Sequence, residues 1–499
     1  MSGHQKVRAN ILQVAREHFG FESLRPGQGE AIRSLLDAND TLVVQPTGAG
    51  KSAIYQIAGI ILKGVTVVIS PLIALQKDQV DSINAQNAAE AVAVNSQQRT
   101  GETRETLDKI EEGKVEYIFL APEQLRKQET LDRLAAAAVS LFVVDEAHCI
   151  SEWGHDFRPD YLQIGPAIER LGHPAVLAVT ATASENVRRE IIDRLGMRDP
   201  KIIVHGFDRP NIYLRVDHFS SEEEKLAALV HRVRWAEKPG IVYVATRKKS
   251  EEIMRALDEE GVHALFYHAG LRAKERDAIQ QQFMAGGAEA IVATNAFGMG
   301  VDKADVRFVY HYDISDSLDS YYQEIGRAGR DGKKAEAVLF YRPENLGVQK
   351  FHAGAGKPDQ AQIEKVAEFI SQENAPVAPA QILEETELSG RKLATVLHQL
   401  EDVGALDVLP GGEVQLSEDA NIAEAAAAAA SQQEHHQEMR REKLRQMQAY
   451  AESSTCRRAI LLEYFGDTCE QPCNNCDNCE GGTGTPNPDP SAGTRREVA

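Results

Sequence analysis

Long apolar segments and a disulfide framework are both missing from this sequence. The apolar run from Ala58 to Leu62 is broken by Lys63 and Gly64, and no other run is long enough to cross a membrane. The N-terminus lacks the charged-then-apolar layout of a signal peptide. Only six of the 499 residues are cysteines, and five of these follow position 455. We therefore expect a protein that is not secreted, lies in the cytoplasm (with the nucleoid) or in a nucleus, and carries a local metal site.

An excess of positive charge is missing as well. The chain has 75 acidic and 55 basic residues, for a net charge of −20. This balance excludes a protein that binds nucleic acid over its whole surface, but a locally basic cleft remains compatible with it. The length predicts about three domains, each able to bury a core of its own.

A glycine-rich turn follows an apolar stretch, Thr41–Val44, that reads as a strand. In a P-loop the backbone N–H groups face phosphates, the lysine reaches the β/γ oxygens and the next hydroxyl ligates Mg²⁺. Gln45 stands where the strict pattern has glycine, but the preceding strand and the apolar helix Ala53–Leu62 supply the context. The predicted phosphate cradle is Thr47, Gly48, Gly50, Lys51 and Ser52.

Two carboxylates and a histidine end a second apolar strand, Leu141–Val144. In an open parallel sheet, ligands bind at the carboxyl ends of the strands. Asp145 suits a Mg²⁺ ligand, and Glu146 suits a base for an attacking water. Solvated charges at a strand end are the alternative interpretation, and the P-loop upstream argues against it.

A second α/β region follows. Its predicted strands are Gly240–Thr246, Ala290–Thr294 and Val306–Tyr310, with a helix over Ser250–Leu257. Arg327 and Arg330 then lie three residues apart on a glycine-containing turn. Arginines on a turn suit the charge that develops on a transferring phosphoryl group. We expect an ATP site between two lobes that close and open with hydrolysis.

Taken in order, these motifs resemble the RecQ-type DNA helicases of helicase superfamily 2, over residues from about 10 to 350 and again from 440 to 480. The resemblance implies that Gln28 bonds the adenine edge, that Phe21 and Arg25 stack on the base, and that His148 couples the Asp-Glu-Ala-His motif to Thr180-Ala-Thr182. It also implies roles for the second-lobe segments Ala296–Asp302, which includes Asp302, and Tyr321–Arg330. Arg330 is the preferred arginine finger and Arg327 supports it.

A loop rich in aromatic residues follows the Asp-Glu-Ala-His motif. Trp153 and Phe157 offer flat faces to unstacked bases, and Arg158 adds charge and a stacking plane. The loop resembles the one with which RecQ-like enzymes sense single-stranded DNA, and His155 is a candidate relay to the ATP site. Core packing of both aromatics is the alternative, but Gly154 and the polar neighbours favour a loop.

Four cysteines have the spacing of a closed zinc site. Cys456, Cys473, Cys476 and Cys479 follow C-x16-C-x2-C-x2-C, and four thiolates wrap tetrahedral Zn²⁺. Cys469 is an alternative to Cys456, although the spacing of the family favours Cys456. The metal role is structural, because four protein ligands leave no open position.

About ninety residues separate the second lobe from the zinc ligands, which departs from the usual family layout. They predict three helices, Asp359–Ile370, Pro379–Thr386 and one after Ser389, and then two short strands around Gly411-Gly412. This is a winged-helix pattern placed before the zinc module. Its third helix carries Arg391, Lys392, Thr395 and His398, which suit DNA. The acidic composition of the segment suits protein docking equally well.

These interpretations combine into an α/β protein with two RecA-like parallel-sheet lobes, an α+β winged-helix-like domain and a helical zinc module. The expected divisions are the ATP-binding lobe 1–206, the second lobe 207–350, the winged-helix-like domain 357–418, a connecting helix with the zinc module over 419–480, and a disordered tail, 481–499. We expect a monomeric ATP-dependent DNA helicase in DNA repair and recombination, using ATP, Mg²⁺ and Zn²⁺ and acting on single-stranded and forked DNA without a membrane. By resemblance it moves 3′ to 5′. The winged-helix-like domain and the tail are candidate docking sites for protein partners. A DNA-dependent translocase that remodels protein–DNA complexes, and a non-enzymatic zinc and winged-helix regulator, are the alternatives.

Overall fold

The structure is a computed structural model that describes residues 3–46, 48–71, 73–85, 89–95, 100–151, 158–298, 303–347, 358–373, 375–409, 413–417 and 420–480. The chain divides into two compact units. The first consists of Met1–Arg342 together with Met447–Ala499, and the second of Pro343–Gln446. The predicted tail, 481–499, lies outside the described residues.

The first unit begins with a parallel sheet. Its strands are β1 (Thr41–Val44), β2 (Val65–Ile69), β3 (Ala91–Val94), β4 (Tyr117–Leu120), β5 (Val139–Val144), β6 (Ala175–Thr180) and β7 (Lys201–Val204). Among the described residues their order is β3-β4-β2-β5-β6-β1-β7, and the paired strands are parallel. The accompanying helices are α1 (Gly3–Phe19), α2 (Gln28–Leu36), α3 (Lys51–Leu62), α4 (Ile73–Ala85), α5 (Thr100–Glu111), α6 (Gln128–Ala136), α7 (Ile164–Arg170) and α8 (Glu185–Leu195).

The strands of this sheet are apolar throughout because both faces are covered. Val67 and Ile69 belong to one buried cluster, while Val68 belongs to the cluster on the opposite face. Successive side chains of a strand alternate between faces, so a strand buried on both sides needs apolar residues at every position. Since β6 lies between β5 and β1, the residues that follow these three strands meet at one carboxyl edge.

A second parallel sheet completes the two lobes. Its strands are β8 (Ile212–His218), β9 (Gly240–Tyr243), β10 (Ala264–Tyr267), β11 (Ala290–Ala293), β12 (Phe308–His311) and β13 (Ala335–Tyr341). In the described chain their order is β10-β11-β9-β12-β13-β8, which puts β8 at an edge. The helices are α9 (Glu222–Trp235), α10 (Arg247–Glu259), α11 (Ala273–Met284) and α12 (Leu318–Ile325).

The second unit contains α13 (Gln360–Gln372), α14 (Pro379–Thr386), α15 (Gly390–Asp402), β14 (Leu406–Val408) and β15 (Val414–Leu416). The predicted cap is present, since the Ser389 hydroxyl accepts the Lys392 amide at 3.3 Å. Val377 adds a backbone bridge to Val414 that the sequence did not indicate. The strand-to-strand turn, 410–412, lies outside the described residues.

A long helix, α16 (Ile422–Glu452), crosses the division between the units. Its Ala426 and Ala429 are buried in the core of the second unit, with Ile363, Val366 and Leu400. The first unit ends with α17 (Arg457–Tyr464) and the short helix α18 (Asp477–Glu480). The predicted fold class, two RecA-like lobes with a helical zinc module, is therefore confirmed. No helix among the described residues is long and apolar enough to cross a membrane.

Candidate functional site

The glycine-rich turn connects the end of β1 to the start of α3. Gly48 and Gly50 have φ values of 82° and 84°, a region that glycine enters without steric cost. A Cβ atom on Gly50 would lie 2.7 Å from the Gln28 amide nitrogen, so only glycine fits there. Thr47 lies outside the described residues. Ser52 occupies the first turn of α3, where the helix N-terminus favours an anion.

Gln45 explains the departure from the strict P-loop pattern. Its side-chain amide donates to the Pro26 carbonyl oxygen at 2.9 Å, and its backbone amide donates to Thr180 at 3.1 Å. The residue therefore ties the turn to the segment that precedes α2 and to the neighbouring strand β6. A glycine at this position would provide the backbone contact alone.

Lys51 points back into the turn. Its ammonium donates to the carbonyl oxygens of Gln45 and Pro46 at 2.9 and 3.4 Å. Burial lowers the pKa of Lys51, nearby Glu146 and Asp145 raise it, and Arg330 lowers it further. The charges that act on Lys51 thus come from both carboxylates of the acidic pair and from a cation of the second lobe.

Asp145 and Glu146 leave the end of β5. The Asp145 amide donates to Ile69 on β2, and the Asp145 carboxylate accepts the Glu146 amide at 2.9 Å. Glu146 has a φ of 49°, so the chain turns sharply between the two carboxylates. Burial and the neighbouring Glu146 raise the pKa of Asp145 to about 7. A buried carboxylate pair beside one lysine is a set of oxygen ligands that suits a hard cation such as Mg²⁺.

His148 connects this acidic pair to β6. Its Nδ1 lies 2.8 Å from the Thr180 hydroxyl oxygen and 3.3 Å from a Glu146 carboxylate oxygen. The Thr180 hydroxyl donates its single hydrogen to the Thr182 carbonyl oxygen at 3.1 Å. Two oxygen acceptors therefore converge on Nδ1, which assigns the imidazole proton to that nitrogen. His148 is fully buried, so these contacts fix its ring.

The residues compared above with an adenine-reading motif pack onto the P-loop. The Gln28 side-chain amide donates to the Gly50 carbonyl oxygen at 2.8 Å, and its oxygen accepts the Arg25 amide at 2.8 Å. The Arg25 guanidinium donates to the Gly48 carbonyl oxygen. Phe21 is 38% exposed and stacks on Phe19, with 5.9 Å between ring centroids.

The two arginines of the second lobe occupy different places. The Arg330 Cδ lies 3.9 Å from the position of a Cβ on Gly48, which puts this side chain at the P-loop. Arg327 is buried within its own lobe, and its Nη2 lies 3.5 Å from the position of a Cβ on Gly298. Asp302 lies outside the described residues.

Of the candidate DNA-sensing residues, Trp153, His155 and Phe157 lie outside the described residues. Arg158 is described, and its amide donates to the Cys149 carbonyl oxygen at 2.8 Å while its guanidinium donates to the Pro71 carbonyl oxygen at 3.2 Å. The helical turn Pro159–Gln163 follows, and its Tyr161 hydroxyl donates to the Asp145 carbonyl oxygen at 2.9 Å. The segment that leaves the loop is thus attached to the acidic pair.

The structure brings four sulfurs together. The Sγ atoms of Cys456, Cys473, Cys476 and Cys479 lie within 4.8 Å of one another. Tetrahedral Zn²⁺ with Zn–S bonds of about 2.3 Å places its sulfurs about 3.8 Å apart, so the quartet fits a zinc ion. Cys469 is outside this quartet, and Cys149 is a buried core residue.

The zinc module joins the edge strand of the second lobe. The Leu214 amide on β8 donates to the Asn475 carbonyl oxygen at 3.3 Å, and the Val216 amide donates to the Asp477 carboxylate at 3.0 Å. Open sheet edges promote aggregation, and this module covers part of the β8 edge. Phe465 stacks on Phe207 with 4.6 Å between ring centroids.

The third helix of the second unit uses its polar side chains internally. The Lys392 ammonium donates to Gln362 of α13 at 3.2 Å, and His398 lies 3.8 Å from Glu401. The Arg391 side chain is outside what the structure describes. Residues 358–417 carry eleven carboxylates against three Lys and Arg residues, so the unit is acidic.

Three protein families match this chain. They are DEAD/DEAH box helicase over residues 25–190, helicase conserved C-terminal domain over 224–332, and RecQ zinc-binding over 417–480. The third match includes α16 and all four clustered cysteines.

Individual proteins are similar over almost the whole chain. The ATP-dependent DNA helicase RecQ of Pasteurella multocida is 36% identical over 95% of this chain and 62% of its own length. RecQ of Haemophilus influenzae is 36% identical over 95% and 64%. The chain therefore spans less than two thirds of these two relatives. The probable ATP-dependent DNA helicase RecS of Bacillus subtilis is 36% identical over 94% of this chain and 92% of its length.

Solved structures share the fold at low identity. The helicase Lhr of Mycobacterium smegmatis, solved with single-stranded DNA and AMP-PNP, has a TM-score of 0.53 at 19% identity over 84% of this chain and 61% of its own. The helicase MrfA, solved with DNA, has a TM-score of 0.57 at 15% identity over 85% and 63%. On the near full-length match to RecS and the zinc-binding match, this chain belongs to the RecQ family of superfamily 2 helicases.

Proposed function

We propose that this protein is an ATP-dependent DNA helicase that couples hydrolysis to 3′-to-5′ movement along single-stranded DNA and to duplex unwinding. The observation that carries the proposal is the position of Arg330, which lies in the second lobe yet reaches the P-loop of the first at Gly48. A nucleotide site built from both lobes allows each hydrolysis cycle to change the spacing of the lobes. We also propose that the protein is a monomer and acts in DNA repair and recombination.

The phosphates occupy the turn between β1 and α3. The backbone N–H groups of Thr47, Gly48 and Gly50 and the N-terminus of α3 face the phosphate oxygens. Lys51 exchanges its present carbonyl partners for the β/γ oxygens. The ammonium loses two hydrogen bonds to neutral carbonyl oxygens and gains hydrogen bonds to charged phosphate oxygens. Because charge-assisted hydrogen bonds are the stronger kind, the exchange favours the bound nucleotide.

The base binds beside Gln28. Phe21 offers an exposed ring and Arg25 a guanidinium plane, which sandwich an adenine, and the Gln28 amide then turns from the Gly50 carbonyl to the base edge. The pairing of Gln28 with Gly50 couples occupancy of the base site to the conformation of the P-loop.

Ser52 and Asp145 would hold Mg²⁺. The ion neutralises phosphate charge when it is bound. Glu146 takes the proton of the attacking water, and His148, whose Nδ1 is held by the Thr180 hydroxyl, lies beside the Glu146 carboxylate. Asp302 contributes from the second lobe to the nucleotide site.

Arg330 stabilises the charge of the transferring phosphoryl group, and Arg327 supports it from its buried position. Because Arg330 comes from the second lobe, it is in place only when the lobes are close together. Hydrolysis is therefore tied to lobe closure.

Single-stranded DNA is sensed by the loop after the Asp-Glu-Ala-His motif. Trp153 and Phe157 stack on bases, Arg158 contacts the backbone, and His155 relays the contact. The Tyr161 bond to the Asp145 carbonyl gives this loop a short physical connection to the acidic pair.

Cys456, Cys473, Cys476 and Cys479 would hold Zn²⁺, which would supply folding free energy to residues 456–480. The contacts of this segment to β8 and Phe207 brace the second lobe. Cys469 packs against the core of the first lobe and is not a ligand.

A remodelling translocase is the second candidate. The Pro410-Gly411-Gly412 sequence has no aromatic wedge to part base pairs, and the acidic charge of the second unit favours a basic protein partner over duplex DNA. Replacing Arg391 and Lys392 by glutamate distinguishes the two. If the unit grips DNA, the variant binds forked DNA more weakly and its affinity depends less on salt concentration. If the unit docks a protein, the variant keeps the fork affinity and the salt dependence of the parent.

The test of the proposal is strand displacement on a forked duplex, with hydrolysis measured on the same substrate. A helicase separates the strands with ATP and fails with Glu146→Gln. A translocase hydrolyses ATP on single strands and leaves the fork intact. A non-enzymatic regulator does neither.

A further inference from the structure

The segment between the two lobes, Phe207–Asn211, is fixed on both sides. It follows β7 and precedes β8, the position of an interlobe linker. A linker that moves freely would have few ordered contacts. This one instead has side chains that reach into the turn carrying the two arginines, and a backbone that the zinc module holds.

Arg209 bonds three carbonyl oxygens of the arginine-bearing turn. Its Nη1 donates to Gly326 at 3.0 Å, and its Nη2 donates to Ala328 at 2.7 Å and to Gly329 at 3.1 Å. These carbonyls directly follow α12, where the helix no longer supplies N–H partners. Gly326 and Ala328 flank Arg327, and the Gly329 carbonyl belongs to the peptide bond that precedes Arg330.

Asn211 holds the same turn from the other side. Its side-chain amide donates to the Gly329 carbonyl at 2.8 Å and to the Lys333 carbonyl at 2.9 Å. Gly329 has a φ of 55°, and a Cβ there would lie 2.4 Å from the Asn211 side-chain nitrogen. The turn is therefore closed tightly around the asparagine, and Gly329 permits this approach.

The zinc module holds the linker backbone. Arg458 pairs with the Asp208 carboxylate and donates to the Ile212 carbonyl at 2.9 Å. Asn475, between two cysteines of the quartet, donates to the carbonyls of Pro210 and Ile212, each at 2.9 Å. The contacts thus run from the zinc module through the linker to the turn that carries Arg330.

We infer that Arg209 is a positioning residue for ATP hydrolysis. It holds the turn so that Arg330 reaches the phosphates of the other lobe, and the zinc module fixes the linker from which Arg209 acts. The inference rests on the proposed role of Arg330. Lysine cannot replace arginine here, because a single ammonium does not reproduce a planar fork directed at separate carbonyls.

The experiment compares the full-length zinc-loaded variants Arg209→Lys and Asn211→Ala with Arg215→Lys. Arg215 is the matched control, because it lies on β8 close by and pairs with Asp217 away from the turn. For both test variants we expect kcat for DNA-stimulated hydrolysis to fall, by up to about 100-fold for a displaced catalytic group. The KM for ATP and the zinc content stay near those of the parent, and the variants remain folded at the assay temperature. Arg215→Lys keeps the parent kcat.

A double mutant with Arg330→Ala separates positioning from a general effect. If Arg209 acts through Arg330, adding Arg209→Lys to Arg330→Ala lowers kcat no further. The inference is overturned if the fold-loss of kcat in the double variant equals the product of the two single losses. It is also overturned if kcat is unchanged in both test variants. A loss of zinc, or unfolding at the assay temperature, in both also overturns it, because either result assigns the contacts to folding. If Arg330→Ala alone leaves kcat unchanged, the proposed role of Arg330 fails instead.

Discussion

Replacing Thr180 with valine removes one hydroxyl from the end of β6 and keeps the shape of the side chain. Thr180 is fully buried, and its hydroxyl lies 2.8 Å from His148 Nδ1 and 3.1 Å from the Thr182 carbonyl. Depriving buried polar groups of a partner costs about 1–3 kcal/mol. A cost of about 2 kcal/mol, the middle of this range, lowers the ratio of folded to unfolded protein by a factor of about 30.

Loss of the Thr180 hydroxyl also changes where the His148 Nδ1 proton points. Without the threonine oxygen, the Nδ1 proton of His148 turns towards the Glu146 carboxylate, 3.3 Å away. That shift draws the carboxylate from the place where it would meet the attacking water. We therefore expect DNA-stimulated ATP hydrolysis to fall by about 10- to 30-fold. Steady-state ATPase assays with a short single strand measure this.

Thr182→Val is the matched control for stability. Thr182 is also buried, but its hydroxyl has no hydrogen-bond partner among the described residues. Thr180→Val should lower the melting temperature by about 4–8 °C, taking the first lobe as a domain of about 200 residues. Thr182→Val should leave it near the parent value. Equal melting temperatures for the two variants, together with full ATPase activity of Thr180→Val, would refute the reasoning.

Three further outcomes are expected. Lys51→Ala should abolish ATP hydrolysis measured by phosphate release, and residual turnover near the parent rate would contradict the phosphate site. Trp153→Ala and Arg158→Ala should keep the basal rate and lose DNA stimulation, whereas equal losses with a lower melting temperature would make them core residues. Cys473→Ala should yield little soluble protein, because zinc contributes folding free energy on the order of 10 kcal/mol, while Cys469→Ala should keep one zinc per chain by metal analysis.

Local pattern predicted the elements that carry the motifs. The apolar stretches at Thr41–Val44 and Leu141–Val144 are strands, and α14 begins at Pro379 as predicted. The face of α13 formed by Ile363, Val366, Ala367 and Ile370 is buried as its spacing predicts. These features follow from periodicity and capping within about a dozen residues.

The contacts that unite the site depend on residues far apart in the chain. Arg209 and Gly326 are 117 positions apart, and Asp208 and Arg458 are 250 apart. No periodicity connects such pairs. The polar residues Arg209 and Asn211, shortly after the last strand of the first lobe, were the available signal. Their partners lie in the turn after α12 and in the segment before β13.

The alanine-rich sequence predicts a helix but not its packing. The run Ala425–Ala430 lies within α16, as predicted. Ala426 and Ala429 are buried against the core of the second unit because small side chains allow close approach. Propensity indicates that a helix forms and leaves open which face it buries.

Unwinding of a forked duplex by the parent protein and by Arg330→Ala tests the central claim most directly. Both proteins are measured at equal DNA occupancy, with ATP hydrolysis followed in parallel. The account predicts ATP-dependent strand separation by the parent, and loss of separation with a steep fall in hydrolysis to a measurable residual rate in Arg330→Ala, with nucleotide binding retained. Strand separation by Arg330→Ala at the parent rate would contradict a site shared between the lobes, and hydrolysis without separation in the parent would contradict a helicase.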